Sequence, residues 1–393
     1  MLPLVPEKGT GTGWQAFSRW YLYAVAMALP QVATFTDTYL PTVNGVTYTV
    51  ETWRDRWRAR GGRMDVVYPR SDHEPRAGEY PVRSLPFPFY DGYRLGMPQI
   101  PSEVRDADVV HAHTPFSLGM AGKRLARKID APLVAHYHTP TGEYAEYVSF
   151  SDRIESAVRS SAEQYERWYL DRAATVIAPS ARTAAYIRGL GVDVDVTVLS
   201  NGVDTDFFRP PESTDFRDRY DLPEGPLVGY TGRHGHEKCL GDILTACEGL
   251  DVTVVFGGDG PAREELEAAA STTDLDVRFL GFLDRAELPE LYAALDVFAF
   301  PSPVETQGLV ALEANCCGTP VAGVDAGALS DTIVAGETGY SYEQGDMDGF
   351  QAAIERVLDE RTELRERCLD RRETVSVEHA VDELEAIYER LLD

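Results

Sequence analysis

Two glutamates, Glu305 and Glu313, stand with seven residues between them inside a largely apolar stretch, 295–328. Residues 297–300 are short and aromatic enough for a buried strand, and Pro301 and Pro303 break it into a loop. Residues 308–317 read as a helix that is apolar nearly all round, stopped by Gly318-Thr319-Pro320 before a second buried strand at 321–324. A carboxylate on a helix flanked by Leu309, Val310, Leu312 and Ala314 is costly to desolvate unless something hydrogen-bonds it. The free N–H groups of Gly308, Leu309 and Val310 form an anion site at the helix start. An anion cradle with an acid on either side suits a sugar nucleotide, diphosphate on the amides and hydroxyls on the acids. On this stretch alone a plainer account stays open. Glu305 would then only favour the helix dipole, worth roughly 0.3–1 kcal/mol, and Glu313 would be a satisfied core acid.

The other candidates leave the ends of buried runs. The loop 37–46 follows the first strand (31–36); there Gly45 allows a close backbone approach, Asp37 could meet an acceptor hydroxyl, and Tyr39 lies between them. A strand at 133–137 ends in His138, with Tyr144 a few residues on, and an imidazole at a strand end is placed to touch a reacting group. After a strand at 227–230, Arg233 and Lys238 share a Gly-containing loop. They offer a guanidinium fork and a point charge for phosphate. The turn 257–261, GGDGP, lacks the third Gly of a dinucleotide fingerprint, because Arg263 stands there. Phe282, after the strand at 277–280, sits in a loop fit to take a base.

Alternating strand and helix patterns in two halves place these residues at the edges of two doubly wound parallel sheets facing a cleft. A chain of 393 residues has about two domains as its prior. The organisation expected is an extension over 1–26, a first domain over 27–200, a second over 201–375, and a C-terminal helix over 376–393 packing back across them. The hydrophobic stretch near the N-terminus, 20–29, is too short to span a membrane and has no cleavage context, and a start at Met27 would lead straight into the first strand. The net charge is -27, and only Lys8, Lys123, Lys128 and Lys238 are lysines, against 33 Arg. That balance fits a haloarchaeal-type protein working at high salt and argues against nucleic-acid binding. Two basic helical segments, 53–63 and 117–129, run against the global sign and are candidates for an anionic membrane surface. The five Cys show no metal spacing and read as reduced thiols.

Taken together, 41–46 (Pro-x-x-Asn-Gly-Val), His138-Thr139, SNGVD (200–204), the loop 232–238, GGDGP, GTPV (318–321) and the Glu305-x7-Glu313 pair resemble family 4 retaining glycosyltransferases of the GT-B fold, over about residues 30–390. The resemblance implies that Arg233, Lys238 and the amides of Gly308, Leu309 and Val310 hold a donor diphosphate, with Gly45 near the phosphate. It further implies Glu313 on the ribose, Glu305 on the transferred sugar and His138 near the anomeric carbon. Asp37, Tyr39 and Tyr144 are the candidate acceptor contacts. Thr306-Gln307-Gly308 resembles the branch that glycosylates lipids, which favours UDP-glucose and a lipid or lipid-linked acceptor at the cytoplasmic face, and makes Thr306 and Gln307 candidates for donor choice. Asp-x-Asp patterns occur at 193–195 and 204–206, but neither follows a strand as metal-dependent sugar transfer requires, so neither a cofactor nor a catalytic metal is expected. Rival readings are a GDP-mannose-dependent mannosyltransferase, a soluble nucleotide-sugar epimerase or sugar–sugar synthase, and a non-catalytic sugar-nucleotide or NAD-binding module.

Overall fold

The computed structural model describes residues 29–42, 44–86, 94–138 and 152–393, with the backbone alone over 152–159. The expectations placed on residues 1–26 and on Tyr144 fall outside these. The first sheet is built from β1 (Gln31–Phe35), β2 (Arg63–Pro69), β3 (Glu79–Val82), β6 (Val109–Ala112), β7 (Leu133–His136), β8 (Thr175–Ala178) and β9 (Val196–Val198). Its order is β3-β2-β1-β6-β7-β8-β9 and every pairing is parallel. A short ribbon, β4 (Ser84–Pro86) and β5 (Arg94–Gly96), stands beside it. The second sheet, β12-β11-β10-β13-β14-β15, is parallel too. It comprises β10 (Leu227–Thr231), β11 (Thr253–Gly257), β12 (Asp276–Gly281), β13 (Val297–Phe300), β14 (Val321–Val324) and β15 (Gly339–Tyr342).

Strands covered on both faces must be apolar throughout, and β8, β13 and β14 are buried at every position. In both sheets the strand order reverses beside the first strand, between β1 and β6 and between β10 and β13. Loops part there at the carboxyl edge and leave a crevice. The first sheet is flanked by α1 (Gly45–Ala59), α2 (Ser117–Ile129), α3 (Asp152–Leu170) and α4 (Ala181–Gly189). In the second unit α5 (Leu309–Cys316) follows β13.

The final helix, α6 (Val377–Leu392), returns to the first unit. Val377, Ala380, Val381, Leu384, Ile387 and Tyr388 share a core with Val32, Trp53, Trp57 and Val109. Where the chain crosses between units it is zipped to its own return, the Val203 amide donating to the Val375 carbonyl at 2.8 Å and the Val377 amide to the Val203 carbonyl at 2.9 Å.

This packing corrects the reading of 53–63 as a membrane face. Trp53 and Trp57 are buried, and Arg54, Arg56, Arg60 and Arg63 are paired with acids of the chain itself. Arg54 meets buried Glu79 at 3.4 Å, Arg56 meets Asp204 at 3.0 Å and Glu378 at 2.5 Å, Arg60 meets Asp382 at 2.5 Å, and Arg63 meets Asp65 at 3.1 Å. The helix is basic because it faces acids of α6 and the crossover, not because it faces lipid.

Candidate active site

The structure brings Glu305, Lys238 and the start of α5 together. Gly308 caps α5 with φ +74, and a Cβ there would come within 2.7 Å of Leu329, so the turn from loop into helix needs glycine. The first amides of α5, those of Leu309 and Val310, have no acceptor within the helix. Lys238 ends the short turn after β10, and its ammonium donates to Glu305 Oε1 at 2.6 Å, both side chains being largely buried. Arg233, in the same loop, is half-exposed and paired with Glu237. Opposite lies the start of α1, where a Cβ on Gly45 would lie 3.4 Å from Leu309 Cδ1. Two helix N-termini from two domains thus face one small volume, with Lys238 at its side. That is a field for an anion.

Glu313 lies one turn into α5. The Tyr292 hydroxyl donates to its Oε2 at 2.9 Å. Burial raises its pKa to about 7, against the lowering effects of the Tyr292 bond and of Arg285. Arg285 was not legible as a site residue. Its guanidinium lies over Phe207 at 4.4 Å and over Tyr48 of α1 at 4.6 Å, a cation clasped by rings from both sides of the cleft. Phe282 is 72% exposed at the end of β12, a free aromatic face beside the same unit.

His138 belongs to a stack. His111 lies on β6 with His113 just past its end, and His136 ends β7 with His138 two residues on, so all four rings rise from one face of the sheet. Ring centroids are 4.4 Å apart for His111 and His113 and 4.1 Å for His136 and His138. Trp53 covers His136 at 5.1 Å. The His113 and His138 rings share a hydrogen bond of 2.9 Å. Burial, the largest cause in each, pushes His111 and His138 down to about 3 and His113 and His136 well below the ordinary value, so all four are neutral near pH 7. The signal available in the sequence was the repeated His-x-His at the ends of two adjacent buried strands. Nitrogens of His111, His113 and His136 come within 4.8 Å of one another.

Two acceptor candidates are corrected. Asp37 is 1% exposed and caps α2: it accepts from Thr114 Oγ1 at 2.6 Å, Ser117 Oγ at 3.1 Å and the Leu118 amide at 3.1 Å. Both its oxygens are engaged, and burial raises its pKa. Tyr39 is buried against Tyr68, and its hydroxyl donates to Glu79 at 3.0 Å. Both side chains are buried and hydrogen-bonded within the first unit.

Thr306 and Gln307 bond to the first unit and to the crossover. The Thr306 hydroxyl donates to the His138 carbonyl at 2.7 Å, and the Thr306 carbonyl accepts from Thr183 at 2.9 Å. Gln307 is buried, its amide donating to Ser200 Oγ at 2.6 Å and its carbonyl accepting from the Asn201 amide at 3.1 Å. On α2, by contrast, Arg124, Arg127 and Lys128 are exposed, and Lys123 lies 4.0 Å over the ring of half-exposed Trp168, which Arg172 also covers at 4.3 Å.

Family models match both halves of the chain: "Glycosyltransferase Family 4" over 43–207 and "Glycosyl transferases group 1" over 212–373. Among relatives, the GDP-mannose-dependent alpha-mannosyltransferase of Corynebacterium glutamicum is 30% identical over 84% of this chain and 81% of its own length. Alpha-monoglucosyldiacylglycerol synthase of Streptococcus pneumoniae is 27% identical over 74% of this chain and 70% of its own. Sulfoquinovosyl transferase SQD2 of Arabidopsis thaliana is 33% identical over 71% of this chain, which spans little more than half (56%) of that protein. The Anabaena protein Alr3699/HepE, solved in complex with UDP-glucose, superposes with a TM-score of 0.69 over 91% of this chain and 99% of that one, at 18% identity. With both sheets, the cleft and the two matched halves in agreement, the chain belongs to the family 4 (group 1) glycosyltransferases and has the GT-B fold.

Proposed function

We propose that this protein transfers a hexose from a nucleotide sugar, UDP-glucose in the favoured case, to a membrane lipid or lipid-linked glycan, with retention of anomeric configuration. The observation that carries the reading is the Lys238–Glu305 pair at the start of α5, facing the N-terminus of α1 across the cleft. A donor diphosphate would replace Glu305 as the partner of Lys238 and lie on the amides of Gly308, Leu309 and Val310, with Arg233 at its outer side and Gly45 opposite. Glu305, released, would accept from a hydroxyl of the sugar, and Glu313 from the ribose. The base would lie by Phe282.

The bond from the anomeric carbon to the phosphate oxygen breaks as the acceptor oxygen bonds to the same face, its proton passing to the departing phosphate. The chain's part is positioning and charge stabilisation, supplied by Lys238, Arg233 and the amides, so the proposal needs neither metal nor cofactor. His138, neutral and fixed by His113, lines the sugar without bringing charge.

A lipid acceptor is supported by the similarity to the diacylglycerol-glycosylating relative and by the exposed basic face of α2 within a protein of net charge -27. No helix among the described residues is long and apolar enough to cross a membrane. Attachment at the inner face of the membrane is proposed on the exposed basic face of α2 alone. Its composition suits molar salt.

The test is a screen of UDP-glucose, GDP-mannose and other nucleotide sugars against total membrane lipids at high salt, with products read by chromatography and mass spectrometry. A glycolipid formed by the wild type and lost in Lys238→Ala is expected. Transfer from no donor, or undiminished transfer by Lys238→Ala, refutes the reading. A product from GDP-mannose alone would establish the mannosyl alternative that the Corynebacterium relative favours.

A further inference from the structure

We propose that Thr306 and Gln307 are positioning residues: a neutral latch that sets His138 of the first domain against Glu305 of the second, so that transfer proceeds only with the domains closed. This rests on the transfer reaction proposed above. The two residues lie between Glu305, held by Lys238, and the turn at Gly308 that begins α5. The Thr306 side chain bonds into the first domain, and that of Gln307 bonds to the crossover between the two. Thr306 donates to the carbonyl of His138 at 2.7 Å, and its own carbonyl accepts from Thr183 at 2.9 Å. Thr183 is itself fixed, its amide donating to Ser180 Oγ, the cap of α4, at 3.1 Å. Gln307 spans to Ser200 and Asn201, where the chain begins to cross between domains, at 2.6 and 3.1 Å. Asn201 is held in turn by the Trp53 indole, which donates to its carbonyl at 2.7 Å.

Three consequences follow from this arrangement. The Thr306 bond is the covalently shortest link between the two groups assigned to the sugar, one residue from Glu305 and directly on His138. Opening the cleft must break it, because donor and acceptor lie in different domains. All these contacts are hydrogen bonds between uncharged groups, so they keep their strength at ionic strengths that would screen an exposed ion pair across the same seam. A latch of this kind suits a protein with so acidic a surface.

The test uses Thr306→Val, which keeps the shape and removes the hydroxyl, and Thr306→Ser, which keeps the hydroxyl. Transfer kinetics, UDP and GDP affinity by calorimetry, and the radius of gyration by small-angle scattering are measured on all three proteins. Loss of one hydrogen bond of ordinary strength lowers kcat by about fivefold. The expected result is that loss in Thr306→Val, with nucleotide affinity and donor KM within twofold of wild type and a larger radius of gyration. Thr306→Ser should restore both kcat and radius. Wild-type kcat and radius in Thr306→Val, or no rescue by Ser, overturns the proposal. A parallel fall in nucleotide affinity also overturns it, since Thr306 would then be a donor contact. If the wild type transfers nothing from any donor, the reaction assigned above fails and the positioning role with it. The scattering comparison still decides whether the seam holds the domains together.

Discussion

Replacing Glu313 by Gln should stabilise the empty protein while weakening its hold on the donor nucleotide. The carboxyl titrates at about 7 in the folded chain against an ordinary 4.5, because burial disfavours its charged form. Below pH 4.5 it is protonated folded and unfolded alike and has no effect on stability. Between 4.5 and 7 the unfolded chain releases its proton first, so stability falls as pH rises, and above 7 the full cost is present. At about 1.4 kcal/mol for each tenfold change in proton affinity, that cost is about 3 kcal/mol, an upper figure because Glu313 keeps some contact with solvent. Gln has nearly the same shape, can still accept from Tyr292, and never ionises. Urea denaturation at pH 4.5, 6 and 8, at fixed high salt, should show wild type and Glu313→Gln equal at the lowest pH. The variant should be ahead by about 2–3 kcal/mol at the highest, or roughly 5–10 °C in melting temperature. Calorimetry with UDP should show binding weakened by about tenfold or more, the cost of replacing an ionised acceptor for ribose hydroxyls. A stability difference that does not grow with pH, or a variant less stable at pH 8, would refute the account of Glu313 as a carboxylate held ready for a ligand at the expense of the empty fold.

Acid should act through the histidine stack in the opposite sense. His111, His113, His136 and His138 are all held below 6.5, so the unfolded chain binds protons that the fold refuses, and stability falls with pH below 6.5 by about 1.4 kcal/mol per unit for each ring. His136→Asn should therefore lose stability less steeply than wild type between pH 6 and 5 by about that amount, and parallel slopes in urea melts would contradict it. On α2, reversing Arg124, Arg127 and Lys128 to Glu should reduce co-sedimentation with anionic vesicles by at least about tenfold, at about 1 kcal/mol per charge near a membrane surface. Equal co-sedimentation would remove α2 from the membrane proposal.

What could be read in the sequence and what could not divide along a physical line. Strands buried on both faces announce themselves, because burial demands an unbroken apolar run: Val297–Phe300 and Val321–Val324 are strands over the residues expected. Glycine at a left-handed helix cap is likewise local chemistry, and Gly308 marked the start of α5. The strand Gly339–Tyr342 gave no such signal, since its length is four residues and it begins on glycine. Charge is different, because a side chain's partner is not encoded in its neighbours. Arg56 and Arg60 looked like a surface patch until the fold supplied acids 148 and 322 residues away. Asp37 looked available because its amides and hydroxyls arrive from a loop and helix 77 to 81 residues on. Thr306 and Gln307 show the limit most clearly. Their resemblance to the lipid-glycosylating branch was visible and their proximity to Glu305 was certain, so donor choice was the natural inference. Yet a residue beside a site in sequence has two sides of the chain to point to. Here both side chains point across the cleft, where the groups that receive them, His138 and the 200–201 crossover, are named only by the closed fold.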